Sequence, residues 1–192
     1  MTLTRLSRCL SSFCLLLAAM ALGCAGPQEA TNTFSSVRGQ RIQIPAPQVK
    51  ATVLVFISST CPIANGYAPE INRLTGDYKS RGIAFFLVHT EKDLTQEQAE
   101  AHLKKFSCES DVLLDPERRL VKRTGATITP EAAVLSPEGK LWYRGRIDDR
   151  YPLIGIQREK PTKTELRDAL EAILASKLVP VPRTKATGCF IE

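Results

Sequence analysis

The strongest constraint on the fold is a continuous apolar run that ends at a cysteine and a proline. Residues 51–58 (Ala-Thr-Val-Leu-Val-Phe-Ile-Ser) are mostly β-branched or apolar and show no alternation, which is typical of a strand buried on both faces of a sheet. Ser59-Thr60-Cys61-Pro62 follows, and proline suits the first position of a helix. The pattern predicts a helix over 62–81 that begins directly after Cys61. Apolar residues recur there at helical spacing: Ile63, Tyr67, Ile71 and Leu74.

The rest of the chain predicts the remaining elements of an α/β fold. Pro69 is expected to kink the first helix or split off its first turns. The other elements follow in chain order: an opening strand or hairpin at 37–44, strand 83–89, helix 95–106, strand 111–114, helix 116–123, a hairpin of 132–135 and 141–147, and helix 162–176. A βαβ unit followed by ββα predicts the thioredoxin-like arrangement, which is a central mixed β-sheet with helices on both faces.

The N-terminus has the composition of an export signal. Arg5 and Arg8 precede an apolar stretch over 9–22, which is too short to favour a stable transmembrane span. It ends in Ala21-Leu22-Gly23-Cys24, which resembles a bacterial lipobox, so we expect Cys24 to be lipidated. Ordinary signal cleavage and an uncleaved anchor are the alternatives. In each case the folded part would work outside the cytoplasm, in the periplasm or cell envelope.

These features predict the domain organisation. Residues 1–24 form the signal with its lipobox, 25–36 a tether, 37–178 the thioredoxin-like domain, and 179–192 an irregular tail that contains Cys189. The membrane is expected to be a partner through the lipid on Cys24.

Charge and cysteine count narrow the function. The formal net charge of +6 is scattered among acidic residues, without a basic block carrying interleaved aromatics, so we expect no nucleic-acid partner. We also expect no cofactor and no bound metal. Cys61, Cys108 and Cys189 remain in the mature domain, and an odd count of thiols in an oxidising compartment favours redox chemistry over a purely structural disulfide framework.

Cys61 is the candidate nucleophile. The unpaired amides and positive dipole end of a helix N-terminus favour thiolate over thiol, and the thiolate is the reactive species in disulfide exchange and in peroxide reduction. The alternative is a small buried cysteine packed beneath the helix.

Three segments together resemble the redoxin or peroxiredoxin-like branch of the thioredoxin superfamily, which includes the alkyl hydroperoxide reductase and thiol-specific antioxidant proteins. They are Ser59–Asn65 (Ser-Thr-Cys-Pro-Ile-Ala-Asn), Thr127–Ala132 (Thr-Ile-Thr-Pro-Glu-Ala) and Tyr143–Asp149 (Tyr-Arg-Gly-Arg-Ile-Asp-Asp). The resemblance implies a cis peptide bond between Thr129 and Pro130.

The same resemblance implies how a substrate would bind. In the family, the proline loop lies beside the reactive cysteine, and its backbone pairs with the substrate chain. Pro130 is therefore expected to present that backbone, and Thr60, Pro62 and Thr129 to contact substrate.

The chain departs from the family patterns in ways that bear on activity. Ala64 stands where dithiol relatives carry the second cysteine of Cys-x-x-Cys, so the local disulfide is impossible. Leu54 replaces the proline of the peroxiredoxin motif, and that family's catalytic arginine has no counterpart near Thr129-Pro130. Without the arginine, a peroxide's developing negative charge is less stabilised. Asn65 stands where copper chaperones of the Sco type carry their second cysteine.

Cys189 is the candidate resolving thiol. It lies in Thr187-Gly188-Cys189-Phe190 near the C-terminus, and proteins of this branch carry a similar Gly-Cys. Closing so long a loop costs little extra entropy, because closure entropy grows logarithmically. The alternative is a free or intermolecular thiol, and we expect Cys108 to be structural.

The predicted function is thiol–disulfide exchange on protein thiols and disulfides. The alternatives are a thiol peroxidase that reduces small peroxides with an external thiol reductant, and a non-catalytic binding or copper-carrying module.

Overall fold

The computed structural model describes residues 32–192, which form one compact unit. The strands are β1 (Thr33–Ser35), β2 (Arg41–Gln43), β3 (Ala51–Ile57), β4 (Ile83–His89), β5 (Asp111–Leu114), β6 (Ile128–Thr129), β7 (Glu131–Leu135), β8 (Leu141–Gly145) and β9 (Cys189–Phe190). The helices are α1 (Pro62–Gly66), α2 (Ala68–Lys79), α3 (Gln96–Lys105), α4 (Arg119–Thr124) and α5 (Glu165–Leu174). The signal and the lipidation site Cys24 lie outside the described residues.

The central sheet has five strands in the order β5-β4-β3-β7-β8. Strands β3, β4 and β5 are parallel to one another, whereas β7 runs antiparallel to both β3 and β8, so the sheet is mixed. All seven residues of β3 are buried, as expected for the middle strand of a sheet covered on both faces. The thioredoxin-like fold predicted from the order of elements is therefore confirmed.

Two apolar clusters flank the sheet. Val53 and Val55 of β3 point to the face covered by α2, α3 and α5, whereas Leu54 and Phe56 point to the face covered by α4 and the β1–β2 hairpin. Alternate side chains of one strand thus contribute to two cores, because successive residues point to opposite faces.

The first helix is split where the sequence predicted it. Helix α1 ends at Gly66, and α2 starts at Ala68 with Pro69 in its first turn, where a missing amide hydrogen costs no helical bond. Tyr67 at the junction is buried, and its hydroxyl donates to Asp148 Oδ1 at 2.6 Å. Position 148 is therefore buried and hydrogen-bonded, not part of an exposed charged loop.

Both ends of the folded unit differ from expectation. The segment predicted as a tether over 25–36 includes β1, which pairs antiparallel with β2 around a turn containing Gly39. The tail predicted to be irregular contains β9, which pairs antiparallel with β6. The prediction of an irregular tail was wrong, because β9 exists only through pairing with a distant segment and carries no local periodic signal. No helix within 32–192 is long and apolar enough to cross a bilayer.

Candidate active site

Cys61 occupies the junction between the middle strand and the first helix. It is the N-cap of α1, with extended backbone (φ −81°, ψ 111°), and Pro62 follows within the first turn. Its carbonyl accepts the amide of Asn65 at 3.0 Å. The residue is fully buried, with 0% of its surface exposed, although Pro62 next to it and Thr60 before it are both exposed.

The proline loop lies against this thiol. The Thr129–Pro130 peptide bond is cis, as the resemblance implied, and Thr129 is itself buried. The Cys61 thiol donates to the carbonyl oxygen of Thr129 at 3.0 Å. Predicted residues from two distant segments therefore meet at one point, and Pro130 begins the turn from β6 into β7.

Cys189 completes the site from the C-terminus. Strand β9 pairs with β6 so that Cys189 lies opposite Thr129 and Phe190 lies opposite Ile128. The amide of Ile191 donates to the carbonyl of Thr127 at 3.0 Å and extends the pairing by one residue. Cys189 therefore lies opposite the residue whose carbonyl accepts the Cys61 thiol, the two thiols influence each other's pKa, and both are free.

The pKa values of the two thiols are shifted in opposite directions. Burial alone would raise the pKa of Cys61, but hydrogen bonds from the Cys189 side chain and from the Ala64 and Cys189 backbones outweigh it, so that this pKa is lowered. The Thr129 side chain also lowers this pKa. The hydrogen bond to Cys61, together with desolvation, raises the pKa of Cys189 to about 11. Of the two thiols, Cys61 therefore ionises more readily than Cys189.

Gly188 allows β9 to approach β6 this closely. Residue 188 is buried, and a Cβ atom placed on it would overlap the carbonyl of Thr129 and crowd the side chain of Ile128. Only glycine permits this approach without displacing the strand. Glycine at position 188 is therefore a geometric requirement of the β6–β9 contact.

A buried polar network supports the loop before Cys61. The Glu91 carboxylate accepts the amide of Ser59 at 2.5 Å and contacts Nδ1 of His89 at 3.0 Å. Desolvation would raise the pKa of Glu91, but its bonds to His89 and Ser59 lower it to about 2. Glu91 is therefore a permanent anion that fixes the Ser59 amide.

The other half of the network reaches α1 from α3. His102 contacts Asn65 Oδ1 through Nε2 at 2.8 Å, and the Asn65 amide donates to the Ser59 carbonyl at 3.1 Å. Desolvation and the nearby His89 lower the pKa of His102 to about 4, so this histidine is neutral near pH 7. Its ring lies edge-on to that of His89, with 5.0 Å between the ring centres.

Several predicted residues lie at the rim. Thr60 and Cys189 line an open groove with Ser58, Glu91 and Arg118. Cys108 is separate from this groove, half-buried against the core, and desolvation raises its pKa. The position agrees with the structural role expected for it. Within 32–192, no group of three or more His, Cys, Asp or Glu side chains is arranged to hold a metal ion.

Sequence reasoning missed the supporting residues. Glu91 lies 32 positions from Ser59 and His102 lies 37 from Asn65, so no local spacing links them. Glu131 beside the cis-proline is also structural, because its buried carboxylate accepts the amide of Thr127 at 2.8 Å and pairs with Arg144. The only available signal was a polar residue, Glu91, placed just beyond a buried strand.

The fold and the site together define a thioredoxin-like protein with one buried cysteine before its first helix and a second cysteine on its C-terminal strand. The sequence matches the AhpC/TSA family over residues 27–144, more than half of the chain, and the protein belongs to that family. No curated protein matches the sequence.

Solved structures show the same fold. An uncharacterized conserved protein from Geobacillus kaustophilus is 24% identical with a TM-score of 0.73, and the alignment covers 83% of this chain and 87% of that one. A hypothetical protein from Sinorhizobium meliloti 1021 is 25% identical with a TM-score of 0.72, covering 83% and 88%. A secreted Mycobacterium tuberculosis disulfide oxidoreductase homologous to E. coli DsbE is 17% identical with a TM-score of 0.52, covering 78% and 99%.

Proposed function

We propose that this protein is an extracytoplasmic thiol–disulfide oxidoreductase in which Cys61 and Cys189 form the redox pair. The observation that carries the proposal is the β6–β9 register, which places Cys189 opposite Thr129, the residue whose carbonyl accepts the Cys61 thiol. The pKa of Cys61 is lowered and that of Cys189 is raised to about 11. This asymmetry gives one thiol that attacks and a second that is held beside it. Ala64 removes the usual local partner, and Cys189 takes its place.

The reaction proceeds in two exchanges. The Cys61 thiolate attacks one sulfur of a substrate disulfide, which forms a mixed disulfide and releases the other substrate sulfur as a thiolate. Cys189 then loses its proton to solvent and attacks Cys61 Sγ. The second substrate thiolate leaves, and a Cys61–Cys189 disulfide remains. The substrate gains two electrons, the protein loses two, and an external thiol reductant restores the dithiol.

The electrostatics of the pair fit this sequence of events. The largest cause of the raised pKa of Cys189 is its hydrogen bond to Cys61. That cause disappears once the sulfur of Cys61 is in a mixed disulfide and no longer carries charge. Cys189 then ionises more readily at the step in which it must act as a nucleophile.

The proposed location and partners rest on the N-terminal signal and on one relative. The related Mycobacterium tuberculosis oxidoreductase is described as secreted, and residues 1–24 have the pattern of an export signal with Cys24 as lipid acceptor. We therefore place the folded unit in the cell envelope, anchored to the membrane by that lipid. Its substrates are protein thiols and disulfides.

Peptide mapping tests the proposal. The reduced protein is equilibrated in a glutathione redox buffer, quenched with acid, alkylated and digested without reductant. We expect a Cys61–Cys189 link in the wild type and in Cys108→Ser, and its loss in Cys61→Ser together with all insulin-reduction activity. A dominant Cys61–Cys108 link would contradict the proposal.

A thiol peroxidase is the second candidate, because the matched family is named after peroxide-reducing and thiol-specific antioxidant proteins. Among the groups that shift the pKa of Cys61, however, there is no arginine, and Arg144 is engaged by Glu131 and by the Gly125 carbonyl. We therefore expect hydrogen peroxide to oxidise the reduced protein no faster than it oxidises a free thiolate. A much faster stopped-flow rate would favour the peroxidase.

A further inference from the structure

The nucleophile of the proposed reaction is inaccessible in the reduced protein. Cys61 has no exposed surface, whereas the attack on a disulfide requires the three sulfurs of the exchange to line up. A substrate sulfur can reach Cys61 only after some part of the molecule moves away. The identity of that part follows from the groups that contact the sulfur.

The groups that contact the Cys61 sulfur or shift its pKa come from three segments. Ala64 lies in α1 and Thr129 in β6, and both are continuous with buried elements on either side. Cys189 lies in β9, three residues before the end of the chain. Cys189 and Phe190 are both exposed, and among residues 32–192 β9 pairs only with the two-residue strand β6. Of the three segments, β9 is the one that opens at the smallest cost, because few buried contacts hold it.

We infer that β9 gates Cys61 by occupying, as an internal strand, the edge of β6 on which the family resemblance places the substrate backbone. This inference rests on the proposed function and concerns the regulation of that same site. When β9 leaves, Cys61 becomes accessible at the same moment as the backbone groups of β6 become unpaired. An exposed strand edge pairs with an extended chain, so an extended peptide fits this edge better than a small disulfide.

Strand β9 also indicates the sequence that fits best. Its cysteine lies opposite Thr129, and the residue before that cysteine has no room for a side chain because of the Thr129 carbonyl. The residue after it, Phe190, is 78% exposed and lines the open groove that also contains Thr60 and Cys189. A substrate that binds in the same register is therefore expected to carry glycine directly before its cysteine, with a tolerant position after it.

Substrate and tail exclude each other on this edge. While the substrate strand pairs with β6, Cys189 is displaced from Cys61. Its return to form the Cys61–Cys189 disulfide requires the substrate strand to leave the edge. Re-pairing of β9 thus couples the second exchange to product release, and no separate release step is required.

Alkylation kinetics test the gate without turnover. We use a Cys189→Ala background, so that the sulfur contact with Cys61 is absent from every protein compared. Gly188→Ala is added to displace β9, and Gly76→Ala is the matched control, since a Cβ at position 76 meets no atom within 4 Å. Iodoacetamide labelling of Cys61 is followed by mass spectrometry.

We expect Gly188→Ala to speed Cys61 labelling by about tenfold or more, because it removes a local opening step, and Gly76→Ala to leave the rate unchanged. Deleting residues 187–192 should give the same acceleration. This second variant keeps the test valid if Gly188→Ala disturbs the fold, which circular dichroism would reveal. Equal rates in Cys189→Ala, with and without Gly188→Ala, would overturn the gate.

Activated peptides test the docking edge. The protein lacking residues 187–192 is mixed with a thiopyridyl disulfide of the peptide Thr-Gly-Cys-Phe-Ile-Glu, and thiopyridone release reports attack by Cys61. Two analogues carry alanine in place of glycine, or an N-methyl group on the isoleucine that corresponds to Ile191, whose amide bonds Thr127.

We expect both analogues to react several-fold more slowly, and equal rates for all three peptides would overturn docking on β6. These outcomes are separable from failure of the proposed function. That failure would appear as the absence of a Cys61–Cys189 disulfide in the intact protein, whatever the labelling and peptide rates are.

Discussion

The central sheet and the β6–β9 pair differ strongly in strand length and in burial. The sheet has five strands, and its middle strand β3 is buried along its entire length. The β6–β9 pair has two residues in each strand, and both residues of β9 are exposed. The fold depends on the first region, whereas both proposed redox sulfurs meet at the second. Chemistry that requires opening is therefore confined to the region whose opening costs least.

The largest expected effect compares the stability of the two regions. Leu54 in β3 is fully buried, so Leu54→Ala should lower the free energy of unfolding by about 2–5 kcal/mol. Deleting residues 187–192 should lower it by less than about 1 kcal/mol, because few apolar side chains are lost. Urea titrations measure both values, with the exposed Leu178→Ala as control. A deletion as destabilising as Leu54→Ala would contradict the expected difference in stability between the two regions.

A second prediction concerns the stability of the protein at acidic pH. It involves His102 in the polar network between the two regions. The buried His102 has a pKa near 4, below the value of about 6.5 expected for an unfolded chain. The unfolded state therefore binds the proton first, and stability is lost as the pH falls from about 6.5 to about 4, by about 3 kcal/mol. His102→Gln, which keeps a donor for Asn65, should flatten this part of the profile. An unchanged slope in urea titrations across that range would show that His102 does not cause it.

The third effect lies within the thiol pair. Cys189→Ser and Cys189→Ala both remove the resolving sulfur, so both should accumulate the Cys61 mixed disulfide with substrate. Only the alanine variant also removes the hydrogen-bond donor, so the pKa of Cys61 should rise in Cys189→Ala and stay lowered in Cys189→Ser. Alkylation rates measured against pH, with labelling of Cys61 resolved by mass spectrometry, give the two values. Identical profiles would mean that the Cys189 side chain does not tune Cys61.

The smallest effect is expected at Phe190. Its side chain is 78% exposed, so Phe190→Ala should change the free energy of unfolding by less than about 0.5 kcal/mol. Its disulfide-exchange rate should match that of the wild type, because backbone pairing and not the aromatic ring holds β9 on β6. A marked loss in either measurement would show that the ring contributes to the small sheet.

Local sequence signals were sufficient for the central sheet and for the position of Cys61 at the start of the first helix. The apolar run of β3 and the proline after Cys61 define the strand end and helix start, and each signal lies within a few residues of the feature that it predicts. The break at Pro69 was predictable for the same reason. The cis bond before Pro130 came from the resemblance and not from local rules.

The parts that sequence reasoning missed depend on contacts across the fold. Strand β9 pairs with residues about 60 positions away and has no length over which a period could be read. The same holds for Glu91, whose role as the acceptor for the Ser59 amide is visible only once two loops are brought together. Cys189 was named as the candidate resolving thiol for a chemical reason, because a single thiol at Cys61 needs a partner sulfur.

The tail is fixed to the sheet shortly before it reaches the site. The amide of Thr184 donates to the Arg144 carbonyl at 3.1 Å, and its hydroxyl lies 2.9 Å from that of Tyr143. Cys189 follows Thr184 by only five residues. When β9 opens, its sulfur therefore stays within about 17 Å of a fixed point, the reach of five extended residues.

One thiol confined to that radius has an effective concentration on the order of tens of millimolar. A free thiol would have to exceed this concentration to resolve the mixed disulfide as fast. The attachment at Thr184 thus makes resolution largely independent of the thiol content of the surroundings.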